Sequence, residues 1–197
     1  LENPFKTDKT NFKELLMTKD NQKNPTVIKK TIYTISNTVF VLDITPIIQA
    51  CASEGLNSLI TVDSIQGVIS ETSPVLFESI SFFGDGCSGN QSFITPDHKS
   101  ITVFFPSFFT AAQGNIPNVS CSNCEMCIRI NPNGLKKNEK LTINFSINGQ
   151  AILDNESCAN VFEDCKRILT LKGPYSNNYV VNFTIEGKLT DCDCDCS

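Results

Sequence analysis

Ten cysteines are the residues of this 197-residue chain best equipped for chemistry. Cys51 and Cys87 stand alone, and Cys158 and Cys165 lie close together. Cys121, Cys124 and Cys127 form C-x2-C-x2-C, and Cys192, Cys194 and Cys196 alternate with Asp191, Asp193 and Asp195. C-x2-C is a usual thiolate pair for zinc, and C-x2-C-x2-C opens the bacterial ferredoxin run. That run needs a fourth cysteine followed by proline, and here Asn131 stands before Pro132. A zinc site from Cys121, Cys124 and two tail thiols stays open as an alternative, although no second C-x2-C pair and no neighbouring histidine support it. Disulfides are the better account, because an even count permits a complete set without fixing its connectivity. We therefore expect no metal and no cofactor.

The tail is the most informative cluster. In an extended chain residues two apart share a side at about 6.6–6.8 Å, so Cys192, Cys194 and Cys196 form a row of parallel thiols. Neighbours in such a row are poorly placed to bond each other, and each favours a partner elsewhere. These three are the candidates for crosslinks between subunits; the alternative is that they clasp the tail to its own body. The flanking aspartates repel a thiolate and raise the thiol pKa, which suits a bond made once rather than catalysis.

Other chemistry is sparse. The single histidine, His98, follows Asp97 in a proline-initiated turn and reads as a solvated turn residue; no Gly-x-Ser-x-Gly elbow accompanies it. Phosphate-binding glycine loops are missing, and Gly84-Asp85-Gly86 lacks the oxygen ligands of a calcium loop. No catalytic residue is assigned, and the chain is not read as an enzyme. Five Asn-x-Ser/Thr sequons, at Asn90, Asn118, Asn144, Asn155 and Asn182, are candidate glycosylation sites.

The elements that would position these residues are mostly strands. Thr26–Ile35, Thr38–Ile44, Ser58–Asp63, Gln66–Ser70, Val75–Phe83 and Ser100–Phe105 are β-branched or aromatic, with turn signals every eight to twelve residues. Leu141, Ile143, Phe145 and Ile147 alternate with polar residues, as do Tyr179, Val181, Phe183 and Ile185, so both segments read as half-buried strands. Asn148-Gly149 looks like a type I′ turn with Ala151–Leu153 returning. Thr45-Pro46 looks like a helix start with Gly55 its stop. Cys158, Val161, Phe162, Cys165, Ile168 and Leu169 follow a helical stripe; as a helix it would separate Cys158 from Cys165, whereas a folded-back loop would let them pair. The expected fold is mostly β, an antiparallel, jelly-roll-like β-sandwich with one or two short helices. Residues 1–25 form an N-terminal arm, 26–190 the sandwich and 191–197 a cysteine-rich tail.

Charge and apolar content exclude further classes. With 16 Lys+Arg against 21 Asp+Glu, net −5, the chain lacks the clustered cations that nucleic-acid backbones need. Its apolar runs are too short for a membrane span. To residue 30 there are seven lysines against four acids, so the arm is cationic over an acidic body and could dock on a neighbouring copy. Phe12, Leu15 and Leu16 would give the arm two helical turns. The start at Leu1, without a charged n-region and apolar h-region, implies processing or a partial chain. Fourteen phenylalanines include the pairs Phe82-Phe83, Phe104-Phe105 and Phe108-Phe109; in a strand each pair puts one ring on each face, so a second sheet or helix must cover some of them, or a neighbouring copy does, the latter a second hint of assembly.

In its Asp-Cys-Asp-Cys-Asp-Cys-Ser end, its Cys-Ser-Asn-Cys-Glu-Met-Cys cluster and its Asn/Lys/Ile-rich usage, the chain resembles the cysteine-rich endospore surface proteins, coat and appendage-fibre, of low-GC Firmicutes. The two motifs cover under a tenth of the chain. The resemblance implies a self-assembling β-sandwich whose arm and cysteines link stacked copies. The chain departs from it in carrying its densest thiols at the C-terminus. The expectation is thus a structural subunit of a disulfide-crosslinked fibre or coat, extracellular or on a spore surface, with copies of itself as partners. The alternative is a monomeric secreted binding or adhesion module with internal disulfides.

Overall fold

The computed structural model describes residues 25–36, 38–114, 118–136 and 138–190. The predicted arm, except Pro25, and the tail with Cys192, Cys194 and Cys196 lie outside the described residues.

Fifteen strands run in chain order: β1 Thr26–Ser36, β2 Val39–Ile44, β3 Pro46–Ala52, β4 Asn57–Thr61, β5 Ser64–Ile69, β6 Leu76–Phe83, β7 Gln91–Ile94, β8 Ser100–Phe104, β9 Phe109–Gln113, β10 Asn118–Asn123, β11 Glu125–Asn131, β12 Lys140–Leu153, β13 Cys158–Glu163, β14 Lys166–Lys172 and β15 Tyr175–Thr190. The mostly-β expectation holds. The larger sheet has the order β6-β11-β2-β1-β15-β12-β5-β8-β7, with β4 on β12 and β9 on β4; the smaller is β10-β3-β13-β14. Strand β1 runs parallel to β15, and the other ladders are antiparallel.

The long antiparallel pair β12/β15 is the spine, in register from Lys140↔Lys188 to Leu153↔Tyr175. Its inner face is the alternating set expected from sequence: Ile143, Phe145 and Ile147 lie opposite Ile185, Phe183 and Val181, with Leu141 and Tyr179 at the ends of the row, all buried. Phe145 and Phe183 stack with centroids 5.3 Å apart. Gly67 on β5 leaves room for them, since a Cβ there would come within 2.7 Å of the Phe145 ring. The two edge strands of the large sheet approach through His98. Phe77 N–H donates to His98 O at 2.9 Å, and the imidazole Nδ1 meets Phe77 O at 2.8 Å. His98 is exposed in the turn after β7, as expected, and from there it also fastens that turn to β6.

Three sequence readings are corrected. Pro46 begins strand β3, not a helix: a proline without an N–H is tolerated at the first position of either. The inward row Ile48, Ala50 and Ala52 decided for the strand. The stripe from Cys158 to Leu169 is the hairpin β13–β14, whose register shifts between Val161 and Phe162. Asp164 turns at φ 53°. A bulge adds one residue to a period of two and so imitates helical spacing. Gly149 is no turn either. Strand β12 runs through it opposite Tyr179, where a Cβ would come within 2.7 Å of the tyrosine hydroxyl. Among the described residues the helical content is one 3-10 turn, Asp85–Cys87.

Candidate functional site

The C-x2-C-x2-C run spans a corner where the chain leaves the small sheet for the large one. Cys121 lies on β10, Cys124 at the corner and Cys127 on β11, so its three sulfurs are distributed rather than gathered. Cys124 is fully buried and bonded to Cys87, with α-carbons 5.0 Å apart, which removes it from any zinc set. The second disulfide joins Cys51 to Cys158 at 5.1 Å, directly opposite each other on β3 and β13. Both separations suit a disulfide. Cys158 thus finds its partner on a strand 107 residues away, not in Cys165.

The remaining described cysteines carry no disulfide to a described residue. Cys121 and Cys165 are exposed and Cys127 is half-buried. Cys121 Sγ accepts a 3.7 Å contact from the Gln49 amide. The Cys127 sulfur and one carboxylate oxygen each of Asp43 and Glu125 lie within 4.8 Å of one another. Burial first, then the hydrogen bond and charge of Asp43, push its thiol up to about 12. A thiol so raised is a slow nucleophile at neutral pH.

The two sheets are also joined by charge. Glu163 on β13 is fully buried and accepts from Lys30 Nζ at 2.8 Å and from Thr45 N–H at 3.0 Å. Its Oε2 has no partner among the described residues. Burial pushes this carboxyl above the ordinary glutamate range, against the pull of the Lys30 ammonium.

The outer face of the large sheet contains a different kind of site. One rung crosses five strands as Phe93, Thr102, Gln66, Ser146 and Asn182. A second reads Gln91, Phe104, Ser64, Asn148 and Val180. A third reads Ser100, Val68, Asn144 and Thr184. None of these side chains is charged, over about 19 by 14 Å at ordinary sheet spacings. Charge resumes beyond them, where Lys140 pairs with Glu186 at 2.7 Å.

A groove of about 360 Å³ opens over the third and first rungs, with Pro25 on one side and Gln66 and Val68 on the other. Thr184 lies on its floor and donates to Asn144 Oδ1 at 2.9 Å, leaving the Asn144 amide N–H groups directed elsewhere. Gln66 reaches Ser100 Oγ at 3.4 Å through its NH2, leaving its carbonyl as acceptor. Phe93 and Phe104 flank the face edge to face, centroids 6.2 Å apart, and are 59% and 49% exposed.

The sequons divide along these lines. Asn144 and Asn182 lie on the uncharged face, each opposite the other's hydroxyl residue, Thr184 and Ser146. Asn90 donates its amide to Cys87 O at 2.7 Å. Asn118 and Asn155 are exposed. The phenylalanine pairs split as their strands require: Phe105 and Phe108 are buried, and Phe83, Phe104 and Phe109 are exposed. Sequence reasoning missed the face as a unit. Its available signal was the run of Asn, Ser and Thr at outward positions of β12 and β15.

No protein-family model matches the chain, and no curated protein matches it. Among solved structures it overlaps a collagen-binding domain from a Staphylococcus aureus adhesin, at 10% identity over 79% of this chain and 93% of that chain, TM-score 0.37. It also overlaps a mutant of the CFA/I enterotoxigenic E. coli adhesin CfaE, at 6% identity over 84% of this chain and 46% of that chain, TM-score 0.30. A family 123 glycoside hydrolase from Clostridium perfringens matches at 10% identity over 88% of this chain and 25% of that chain, TM-score 0.21. Overlaps this partial transfer no functional property. Among the described residues no helix is long and apolar enough to cross a membrane.

Proposed function

We propose that the chain is a non-catalytic binding domain that works in an oxidising, extracellular setting and presents the outer face of its large sheet to a ligand. The observation that carries this reading is that face: three rungs without a charge, a groove along them and two exposed rings beside it. Uncharged amides and hydroxyls leave donors and acceptors free for a ligand, and exposed apolar surface rimmed by polar groups marks contact sites. Two internal disulfides support the setting, since such bonds persist outside reducing compartments.

The test is solid-phase binding of the full chain to surfaces coated with extracellular proteins or polysaccharides. The expected result is saturable binding to at least one coat, lost in Gln66→Lys, which puts a charge at the centre of the face. Binding to no coat, or equal binding by that variant, overturns the proposal.

A second reading keeps the assembly expectation, favoured by the two exposed cysteines without a disulfide to a described residue, Cys121 and Cys165. Together with the tail thiols they would link copies of the chain, as on a fibre or spore surface. Gel electrophoresis without reductant separates the outcomes. A ladder that collapses on reduction supports it, and a monomer band refutes it.

A further inference from the structure

We infer that the uncharged face binds a neutral saccharide, with Gln66, Asn144, Ser146 and Asn182 meeting its hydroxyls and Phe93 and Phe104 stacking on its C–H surface. The inference rests on the binding reading above and names its ligand class.

Three features lead to it. The first is charge. The face carries no cation to hold a phosphate, sulfate or carboxylate and no anion to hold an amine, although 19% of the chain is charged. A ligand matched to it is itself neutral.

The second is hydrogen-bonding character. An amide offers donors and an acceptor on one planar group, and a hydroxyl is both at once. A sugar hydroxyl is likewise both, so neighbouring hydroxyls on a ring are matched by neighbouring amides on a ladder. Asn144 turns its carbonyl inward to Thr184, and its NH2 remains to donate. Asn182 and Ser146 line the groove, and neither bonds another described side chain. Their capacity is unspent, which is costly for half-buried polar groups unless water or a ligand uses it.

The third is the pair of rings. Their interplanar angle is 71°, so they do not stack on each other, and both keep exposed surface for a flat apolar partner. The patch is too polar for a lipid chain, and its length of about 19 Å fits several sugar rings in a row. The proposal also assigns the two sequons on this face. Asn144 and Asn182 act there as ligand-binding amides, and attached glycans would cover the surface they form.

The experiment is affinity electrophoresis of the full chain through gels holding a β-1,3-glucan, a β-1,4-glucan, a galactomannan or chitin oligosaccharides, with heparin as the anionic control. The expected result is retardation by at least one neutral polymer and none by heparin. The retardation should not change with added salt, because no ion pair is screened. Phe93→Ala with Phe104→Ala should weaken it by about tenfold or more, and both rings are exposed enough to leave the core intact. Asn182→Ala provides an independent loss at the other end of the same rung. No retardation by any neutral polymer, or retardation that survives both variants, overturns the inference. Binding to protein-coated surfaces alone, still lost in Gln66→Lys, overturns the saccharide and leaves the binding domain standing. Binding to nothing overturns both.

Discussion

The large sheet turns Phe145, Phe183, Tyr179 and a row of isoleucines inward, whereas the small sheet mixes Ala50, Ala52 and Ala159 with Ile48, Val161, Leu169 and Leu171. Burial stabilises roughly in proportion to apolar area, so the small sheet, with four strands and no buried ring, gains less from its own core. It is there, and at the corner leading out of it, that both disulfides fall. One region is held by packing and the other by packing reinforced with bonds that close long loops. The packed region is accordingly free to spend its outer face on uncharged polar groups, because its stability does not depend on them.

Removing a core ring should be the most costly change. Phe145→Ala takes away the partner of Phe183 and leaves a void against Gly67, which has no side chain to fill it. Such truncations cost about 3–5 kcal/mol. Denaturant unfolding should show the midpoint falling at unchanged slope. A loss below about 1 kcal/mol would mean that packing does not hold the large sheet.

Opening a disulfide should cost slightly less and act elsewhere. Crosslinks over loops of this length stabilise by about 2–4 kcal/mol in practice. Cys51→Ala with Cys158→Ala should lower stability by that amount. Amide exchange should rise first in β3, β13 and β14, with β12 and β15 keeping their protection until global unfolding. Uniform loss of protection in both sheets would break the contrast.

The difference between the sheets also governs what could be read beforehand. β12 and β15 were legible because Leu141 to Ile147 and Tyr179 to Ile185 alternate without interruption, and a strand with one wet face writes that period directly into the chain. β3 and β13 were not. Small inward residues such as Ala50 and Ala159 give a weak pattern. Pro46 suits a helix start as well as a strand start, and the bulge at Val161 shifts the period. The Cys51–Cys158 bond depends on which distant strands lie side by side, and no local spacing encodes that. The uncharged face was hidden for a related reason. Each strand shows only its own outward residues, and the absence of charge becomes visible once β7, β8, β5, β12 and β15 are in register.

Glu163 tests the junction between the regions. Its carboxyl is raised by burial, so the folded chain holds this proton more tightly than the unfolded chain. Stability from this group is fully present below the ordinary glutamate pKa of about 4.3 and is lost as pH rises through the higher folded value. Glu163→Gln removes that dependence while keeping an acceptor for Thr45 N–H. Relative to the parent, the variant should become progressively more stable as pH rises from about 4 toward 7. A difference that stays constant with pH would show that Lys30 fully compensates the burial.

The smallest effect on stability, and the finest probe of the sulfur-rich region, is thiol reactivity. Alkylation proceeds through the thiolate, so its rate follows exposure and thiol pKa together. Cys121 and Cys165 are exposed on the small-sheet side, whereas Cys127 sits on the large sheet with its thiol raised to about 12 beside Asp43 and Glu125. Native protein treated with iodoacetamide at pH 8 should therefore label Cys121 and Cys165 well before Cys127, read by peptide mass mapping. Asp43→Asn should accelerate Cys127 several-fold by removing the adjacent negative charge, with little change at the other two. If Cys127 labels as fast as Cys121 in the parent, its carboxylate neighbours do not restrain it, and it joins the thiols available for crosslinking. If Cys121 and Cys165 resist the reagent while Cys127 reacts, the exposed pair is already bonded to a partner, and the assembly reading gains over the monomeric one.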